Sequence, residues 1–168
     1  RIAVRILDPQ GRMSVMREER YFAYGSNMNP ERVRQRGLLF TRVEGARLRG
    51  FALGFGKQSR DHAGSGHAHI ERAPDDIVEG VLYLLAGPEE IWKMDPFERA
   101  PINYSRDAIV VETSSGHVAA WTYFANPAVM APNLFPRRDY LAHLLEGRPY
   151  LSRGYGERLA QWPCADDA

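Results

Sequence analysis

Five groups of residues in this 168-residue sequence have side chains suited to chemistry. His62, His67 and His69 lie close together, and a metal site needs three or more converging ligands. No HExxH-type spacing sets them on one face, so they read as solvent-facing residues of a loop and a short strand. Ser26 is a candidate nucleophile, but it lacks the Gly-x-Ser-x-Gly elbow and no motif places a His–Asp pair beside it. Cys164 stands alone in a polar C-terminal stretch, which excludes an internal disulfide and a Cys-based zinc site and offers no basic pocket to form a thiolate. Gly25-Ser26-Asn27 is a loop of small residues whose backbone N–H groups suit a carboxylate, phosphate or oxyanion. It has neither Gly-x-Gly-x-x-Gly nor a P-loop lysine, which argues against a nucleotide. Glu98 closes the segment Met94-Asp95-Pro96-Phe97-Glu98. A carboxyl group just past a helix stop and beside an aromatic ring is partly desolvated, which lifts its pKa toward that of a useful base. The competing reading is a surface carboxylate paired with Arg99.

The elements that must position these groups follow from patterning. Tyr21 to Tyr24 is aromatic-rich and reads as a short buried strand. Asn29-Pro30-Glu31 has the composition of a helix start, with Asn as N-cap, Pro in the first turn and an acid at the positive helix end. The helix runs from Pro30 to Arg36 and Gly37 stops it. Alternating apolar residues between Leu38 and Phe55 predict a curved strand, Lys57 to Gly66 a loop over a cleft, and His67 to Arg72 a second short strand. Val78 to Leu85 is nearly continuously apolar and predicts a strand buried on both faces. A short helix opens at Gly87-Pro88-Glu89-Glu90 and its regular part ends at Pro96. Tyr104 to Glu112 and Val118 to Phe124 form a hairpin about the turn at residues 113–117. Asn126 to Pro136 is a Pro-rich loop, Arg137 to Glu146 an amphipathic helix ended by Gly147, and Ser152 to Trp162 contains a last helix. Strands mixed with short helices, without regular βαβ alternation, predict an α+β fold with a curled sheet.

Composition narrows the class. A chain of this length makes one domain, with 44% hydrophobic residues to build a core. Net charge is +1, so no field favours nucleic acid or an anionic membrane, and the sequence predicts neither as a partner. Twenty of the 22 basic residues are Arg and are scattered; only Lys57 and Lys93 are lysines. No apolar run approaches the roughly 18 residues of a spanning helix, and no signal-peptide h-region is present, so a cytoplasmic protein is expected. Residues 1–19 read as a leader or an appended extension, with a possible edge strand at Ile2, Val4 and Ile6 before a turn at Asp8–Gly11 and with Met13 or Met16 as plausible starts. The domain is then 20–163, with 164–168 as a tail.

Tyr21-Phe22-Ala23-Tyr24-Gly25-Ser26-Asn27-Met28 closely resembles the signature opening of the γ-glutamylcyclotransferase family, within the AIG2-like superfamily. Further landmarks follow in order up to Trp162: Val78-Glu79-Gly80-Val81-Leu82-Tyr83 is similar to the family's central strand, and Met94-Asp95-Pro96-Phe97-Glu98 to its Leu-Asp-x-x-Glu segment. Tyr104, Trp121-Thr122-Tyr123 and Tyr140 then fall at family-like spacing. The resemblance implies a small mixed α/β fold with a partly closed, barrel-like sheet. It implies cleavage of a γ-glutamyl amide to 5-oxoproline and a free amine, with Glu98 as catalytic acid/base and without metal or cofactor. It implies a substrate site built from Tyr21, Phe22, Ala23, Tyr24, Gly25, Ser26, Asn27 and Met28, with Tyr104, Tyr123 and Tyr140 around it. The backbone amides of Tyr24–Met28 would bind either the α-carboxylate or the developing oxyanion. The partner is then a small γ-glutamyl molecule, with oligomeric state open and a homodimer among the possibilities. The alternative is a non-catalytic module that captures acidic metabolites of γ-glutamyl type in the same pocket. The sequence departs from the family at Met28, where Leu is frequent, in the Ser59–His69 loop, which lacks the family's Trp, and at Pro96-Phe97, where polar residues are common. Asn27 argues against the glutathione-specific branch, in which Leu follows Tyr-Gly-Ser.

Overall fold

The apolar segments close into a barrel. The structure is a computed structural model that describes residues 18–167 together with the strand backbones at 5–7 and 13–15. Strand β1 (Arg5–Leu7) pairs antiparallel with β2 (Met13–Val15) as a separate two-stranded ribbon. The alternation at Ile2, Val4 and Ile6 falls only partly on β1, and the Asp8–Gly11 turn lies outside the described residues.

The barrel comprises β3 (Arg20–Ala23), β4 (Phe40–Gln58), β5 (Gly66–Leu85), β6 (Tyr104–Thr113) and β7 (Gly116–Ala125), in the order β3-β5-β4-β6-β7. Neighbours are antiparallel except β3 and β7, whose parallel pairing at Tyr21 and Trp121 closes the ring. The expected partial closure is therefore complete, which removes the exposed sheet edges an open sheet would present. The core holds Phe22, Val78, Val81, Leu82 and Tyr83 with 1% exposure or less. Burial of an apolar side chain of this size contributes roughly 1.5–3 kcal/mol.

Three expectations need correction. The segments expected as separate strands at 67–72 and 78–85 are one strand, β5, running through Pro74. Its pairing with β4 jumps from Ile77 opposite Arg49 to Arg72 opposite Phe51. The intervening residues bulge outward, so Pro74 needs no ladder partner, and Gly50 opposite them takes φ +79. The loop expected from Lys57 begins later: β4 continues to Gln58, and Lys57 pairs with His67. Pro96 does not end a helix. It sits in the first turn of α2 (Asp95–Glu98), where its missing N–H has no intrahelical partner to lose.

The other helices are α1 (Pro30–Gln35), α3 (Arg138–Leu145) and α4 (Arg153–Ala160). Asn29 caps α1 as expected, its Oδ1 accepting the N–H groups of Glu31 and Arg32 at 3.0 and 3.3 Å. Helix α3 buries Leu141 and Leu144. The chain leaves α3 at Gly147, where a Cβ would stand 2.7 Å from Met28 Cβ, so that close approach seats α3 on the loop after β3. Cys164 is buried in the same core rather than in polar surroundings. Among the described residues, no helix is long and apolar enough to cross a membrane.

Candidate active site

Strand β3 delivers Tyr21 and then Tyr24 to one end of the barrel, and Ser26–Met28 forms a single 3₁₀ turn before Asn29 starts α1. The first N–H groups of such a turn have no acceptor within it; Met28 N–H already donates to Gly25 O at 2.9 Å. Facing this turn are Ala68 of β5, Glu98 at the end of α2, Tyr104 of β6, Thr122 and Tyr123 of β7, and Tyr140 of α3, which together enclose a pocket. Ser26, Glu98, Tyr104 and Tyr140 also line a wider outer chamber with Arg32, Arg36, Lys57 and His67. Glu98 thus stands where the inner pocket meets the outer chamber.

Glu98 is held through one oxygen. Asn27 Nδ2 donates to Glu98 Oε1 at 2.9 Å, and Arg36 Nη1 lies 3.4 Å from the same atom. Arg36 Nη1 also donates to Asn27 Oδ1 at 2.9 Å, so Asn27 is clamped between Arg36 and Glu98. Asn27 Nδ2 donates in addition to Tyr21 Oη at 2.8 Å. Glu98 Oε2 has no hydrogen bond among the described residues. Burial raises the Glu98 carboxyl above its ordinary range, and Arg36, the Asn27 bond, Arg32 and Lys57 each pull it back. The result is a carboxyl poised for proton transfer, ionisable yet more basic than a surface glutamate.

The tyrosines divide by what their hydroxyls do. Tyr104 Oη donates to Ala68 O at 2.8 Å, Tyr123 Oη to Asp95 Oδ1 at 2.6 Å, and Tyr24 Oη to Tyr123 O. These three hydroxyls are committed to the scaffold, and their rings form the walls. Tyr140 differs: its Oη accepts the Ala68 N–H at 3.0 Å and also bonds Ser26. An oxygen that accepts from its neighbours keeps its own proton to donate. Burial pushes the Tyr140 phenol up to about 12 and raises Tyr21, Tyr24 and Tyr104 well above the usual value, so all four stay protonated at neutral pH.

The structure gathers Glu98, Tyr21, Tyr24, Gly25, Ser26, Asn27, Tyr104, Tyr123 and Tyr140 around the pocket. It does not bring Phe22, Ala23 or Met28 there. Phe22 alternates with Tyr21 along β3 and packs its ring on Gly80; the Ala23 methyl is buried in the core; Met28 packs against Gly147. Sequence reasoning missed Arg32, Arg36 and Lys57. The pattern Arg32-x-x-x-Arg36 after the turn was an available signal for two of them, since residues four apart share a helix face. The three histidines diverge: the His67 ring stacks on Tyr140 at 4.6 Å, and His69 Nδ1 accepts the Gly56 N–H at 2.9 Å. Among the described residues no three His, Cys, Asp or Glu side chains converge on a metal position.

The sequence profile of the family described as "Gamma-glutamyl cyclotransferase, AIG2-like" matches residues 21–142. Two solved structures are similar to the chain along most of its length. One, described as "Gamma-glutamyl cyclotransferase", is 26% identical with a TM-score of 0.74, over 89% of this chain and 90% of that one. The other, "uncharacterized protein loc79017 from Homo sapiens", is 28% identical with a TM-score of 0.75 over the same shares. A yeast γ-glutamyl cyclotransferase specific to glutathione shares the fold at 16% identity and a TM-score of 0.57, over 84% of this chain and 93% of that one. No curated protein matches the chain in sequence.

Proposed function

The chain belongs to the gamma-glutamyl cyclotransferase, AIG2-like family, and from that premise we propose that it cyclises a γ-glutamyl amide to 5-oxoproline and a free amine, with Glu98 as general acid/base. The observation that carries this reading is the Glu98 carboxyl at the mouth of the inner pocket, fixed through Oε1 by Asn27 and Arg36 and with Oε2 unengaged. The substrate's α-ammonium has no lone pair and must shed a proton before it attacks its own γ-carbonyl. Attack forms the N–C bond of the ring. Glu98 takes the second proton from that nitrogen and delivers it to the amide nitrogen, and the C–N bond breaks with its electron pair on the departing amine. The first proton passes to bulk water, from which the departing amine regains one, so the step balances with the substrate, one carboxyl group and solvent. Holding the glutamyl chain curled makes the attack intramolecular, which supplies much of the rate. The leading amides of the Ser26–Met28 turn and the Tyr140 hydroxyl are the donors available to a developing oxyanion or to the α-carboxylate.

The test is incubation with a panel of γ-glutamyl amino acids and γ-glutamyl amines. 5-Oxoproline and amine must appear in equal amounts. Tight 5-oxoproline binding with no turnover across the panel would overturn catalysis in favour of a binding module.

A further inference from the structure

The outer chamber carries charge that the acid/base step does not use. Arg36 is engaged with Glu98. The remaining charged walls are Arg32, Lys57, Arg60 and Arg99, with Asp61 as the only other carboxylate among the described lining residues. Lys57 is the most telling of them. It is 5% exposed, and its ammonium has no hydrogen bond or ion pair among the described residues, only the Tyr104 ring at 5.9 Å. Glu98 and Asp61 act on it only from beyond ion-pair distance, so its charge is incompletely matched and an anion in the chamber would complete it. Arg32 repeats the pattern: it spends Nη1 on His143 Nε2 at 3.2 Å, while its buried Nε has no partner. Burial lowers the pKa of both Lys57 and Arg32, and its own burial, followed by these two cations, holds His67 neutral with its pKa down at about 4. The chamber measures about 280 Å³, near the lower end of small-molecule sites and large enough for an amino acid. The inner pocket, by contrast, is narrow, about 30 Å³, and is walled by tyrosines, Ser26, Asn27 and Glu98 with no cation among its described lining residues, so it offers nothing to a second carboxylate.

We propose that the outer chamber selects an anionic leaving group, an acidic amino acid whose carboxylates lie against Lys57, Arg32 and Arg60. This rests on the cyclotransferase reading, because it seats the glutamyl group inward of Glu98 and the departing amine outward. The opposite assignment, with these cations serving the glutamyl α-carboxylate, would give no dependence on leaving-group charge.

The experiment compares γ-glutamyl-glutamate with γ-glutamyl-glutamine, which match in shape and differ by one charge, and with γ-glutamyl-butylamine, which has no carboxylate on the leaving side. Both kcat/KM for 5-oxoproline release and equilibrium binding to Glu98→Gln are measured. The expected result is about a tenfold preference for γ-glutamyl-glutamate over γ-glutamyl-glutamine, with γ-glutamyl-butylamine poorest, and a preference that weakens as salt is added. Lys57→Met, and independently the exposed Arg60→Gln, should each reduce the glutamate-to-glutamine ratio several-fold. Turnover without a charge preference overturns the proposal and leaves the cyclotransferase reading standing. A charge preference in binding with no 5-oxoproline formed supports the chamber and overturns catalysis. Binding of none of the three compounds overturns the proposal.

Discussion

Replacing Arg36 by Met isolates the charge that holds Glu98, since Met keeps an apolar stem of similar reach against the Phe97 ring on which the guanidinium lies at 4.9 Å. Arg36 and Glu98 approach to 3.4 Å with side chains only 14% and 16% exposed. Two unit charges near this separation attract by about 4 kcal/mol at an effective dielectric of 20. Removing one member of a buried pair destabilises by about 3–5 kcal/mol because the other charge is left uncompensated. Water reaches both groups here, so the lower figure, about 3 kcal/mol at pH 8, is the expectation. The sign with pH follows from linkage. Burial already raises the Glu98 carboxyl above its ordinary 4.5, and loss of Arg36 raises it further. The folded protein then binds that proton more tightly than the unfolded chain does. Stability from this group is full below the unfolded value and is lost as pH rises through the folded one. The deficit of Arg36→Met should therefore be largest at pH 8 and shrink toward pH 4, leaving only the part due to the lost Asn27 bond. Urea unfolding at pH 8, 6 and 4 reads the stability, and the acid limb of kcat/KM, which should move to higher pH, reads the base. A deficit equal at pH 4 and pH 8, with an unmoved acid limb, would refute the assignment of Arg36 as the group that keeps Glu98 ionisable.

Other substitutions separate scaffold from chemistry. Tyr140→Phe leaves the Ala68 N–H without its acceptor, for a loss of about 1–3 kcal/mol in unfolding free energy; it should also reduce kcat by about 10²–10³ with KM little changed, as for loss of an oxyanion donor. Gly25→Ala puts a methyl 3.1 Å from Ala68 Cβ and 3.2 Å from Tyr140 Oη, tight contacts that displace the Tyr140 side chain. Its kcat/KM should fall roughly tenfold to hundredfold, and the melting temperature should drop by no more than it does in Tyr140→Phe, since the same Ala68 bond is weakened. Gly50→Ala is the control: at φ +79 an added Cβ is strained by roughly 1–2 kcal/mol although nothing lies within 4 Å, so the melting temperature drops and 5-oxoproline release is unaltered.

Much of the fold was legible because local signals agreed with one another. The aromatic run at Tyr21, the small residues of the turn, the Asn29 cap and Pro30 all specify strand, turn and helix, and the structure has them in that order. The hairpin from Tyr104 to Ala125 was equally plain in its alternation and its Ser-Ser-Gly turn. What failed did so where a local breaker was neutralised by context: Pro74 sits in a bulge and Pro96 in a first helical turn, and neither position needs the N–H that proline lacks. At the site, residue types offered Glu98 only beside a competing surface reading, and the family resemblance singled out Glu98 with Tyr104, Tyr123 and Tyr140; which tyrosine hydroxyls are spent on Ala68 O, Tyr123 O or Asp95 depends on partners far away in sequence. The cationic chamber was hidden for the same reason. Lys57 looked like a loop residue because nothing near it announces that β4 continues inward past Phe55, and the short helix expected from Pro30 to Arg36 carries no local signal of what Arg32 and Arg36 face.

The central claim is that the Glu98 carboxyl moves the proton. Glu98→Gln keeps the shape of the side chain and an oxygen to accept the Asn27 bond but removes the base. With the best γ-glutamyl substrate of the panel under single-turnover conditions, 5-oxoproline formation should slow by about 10²–10⁴ while the substrate still binds. A variant that binds substrate and forms 5-oxoproline at the wild-type rate would contradict the account.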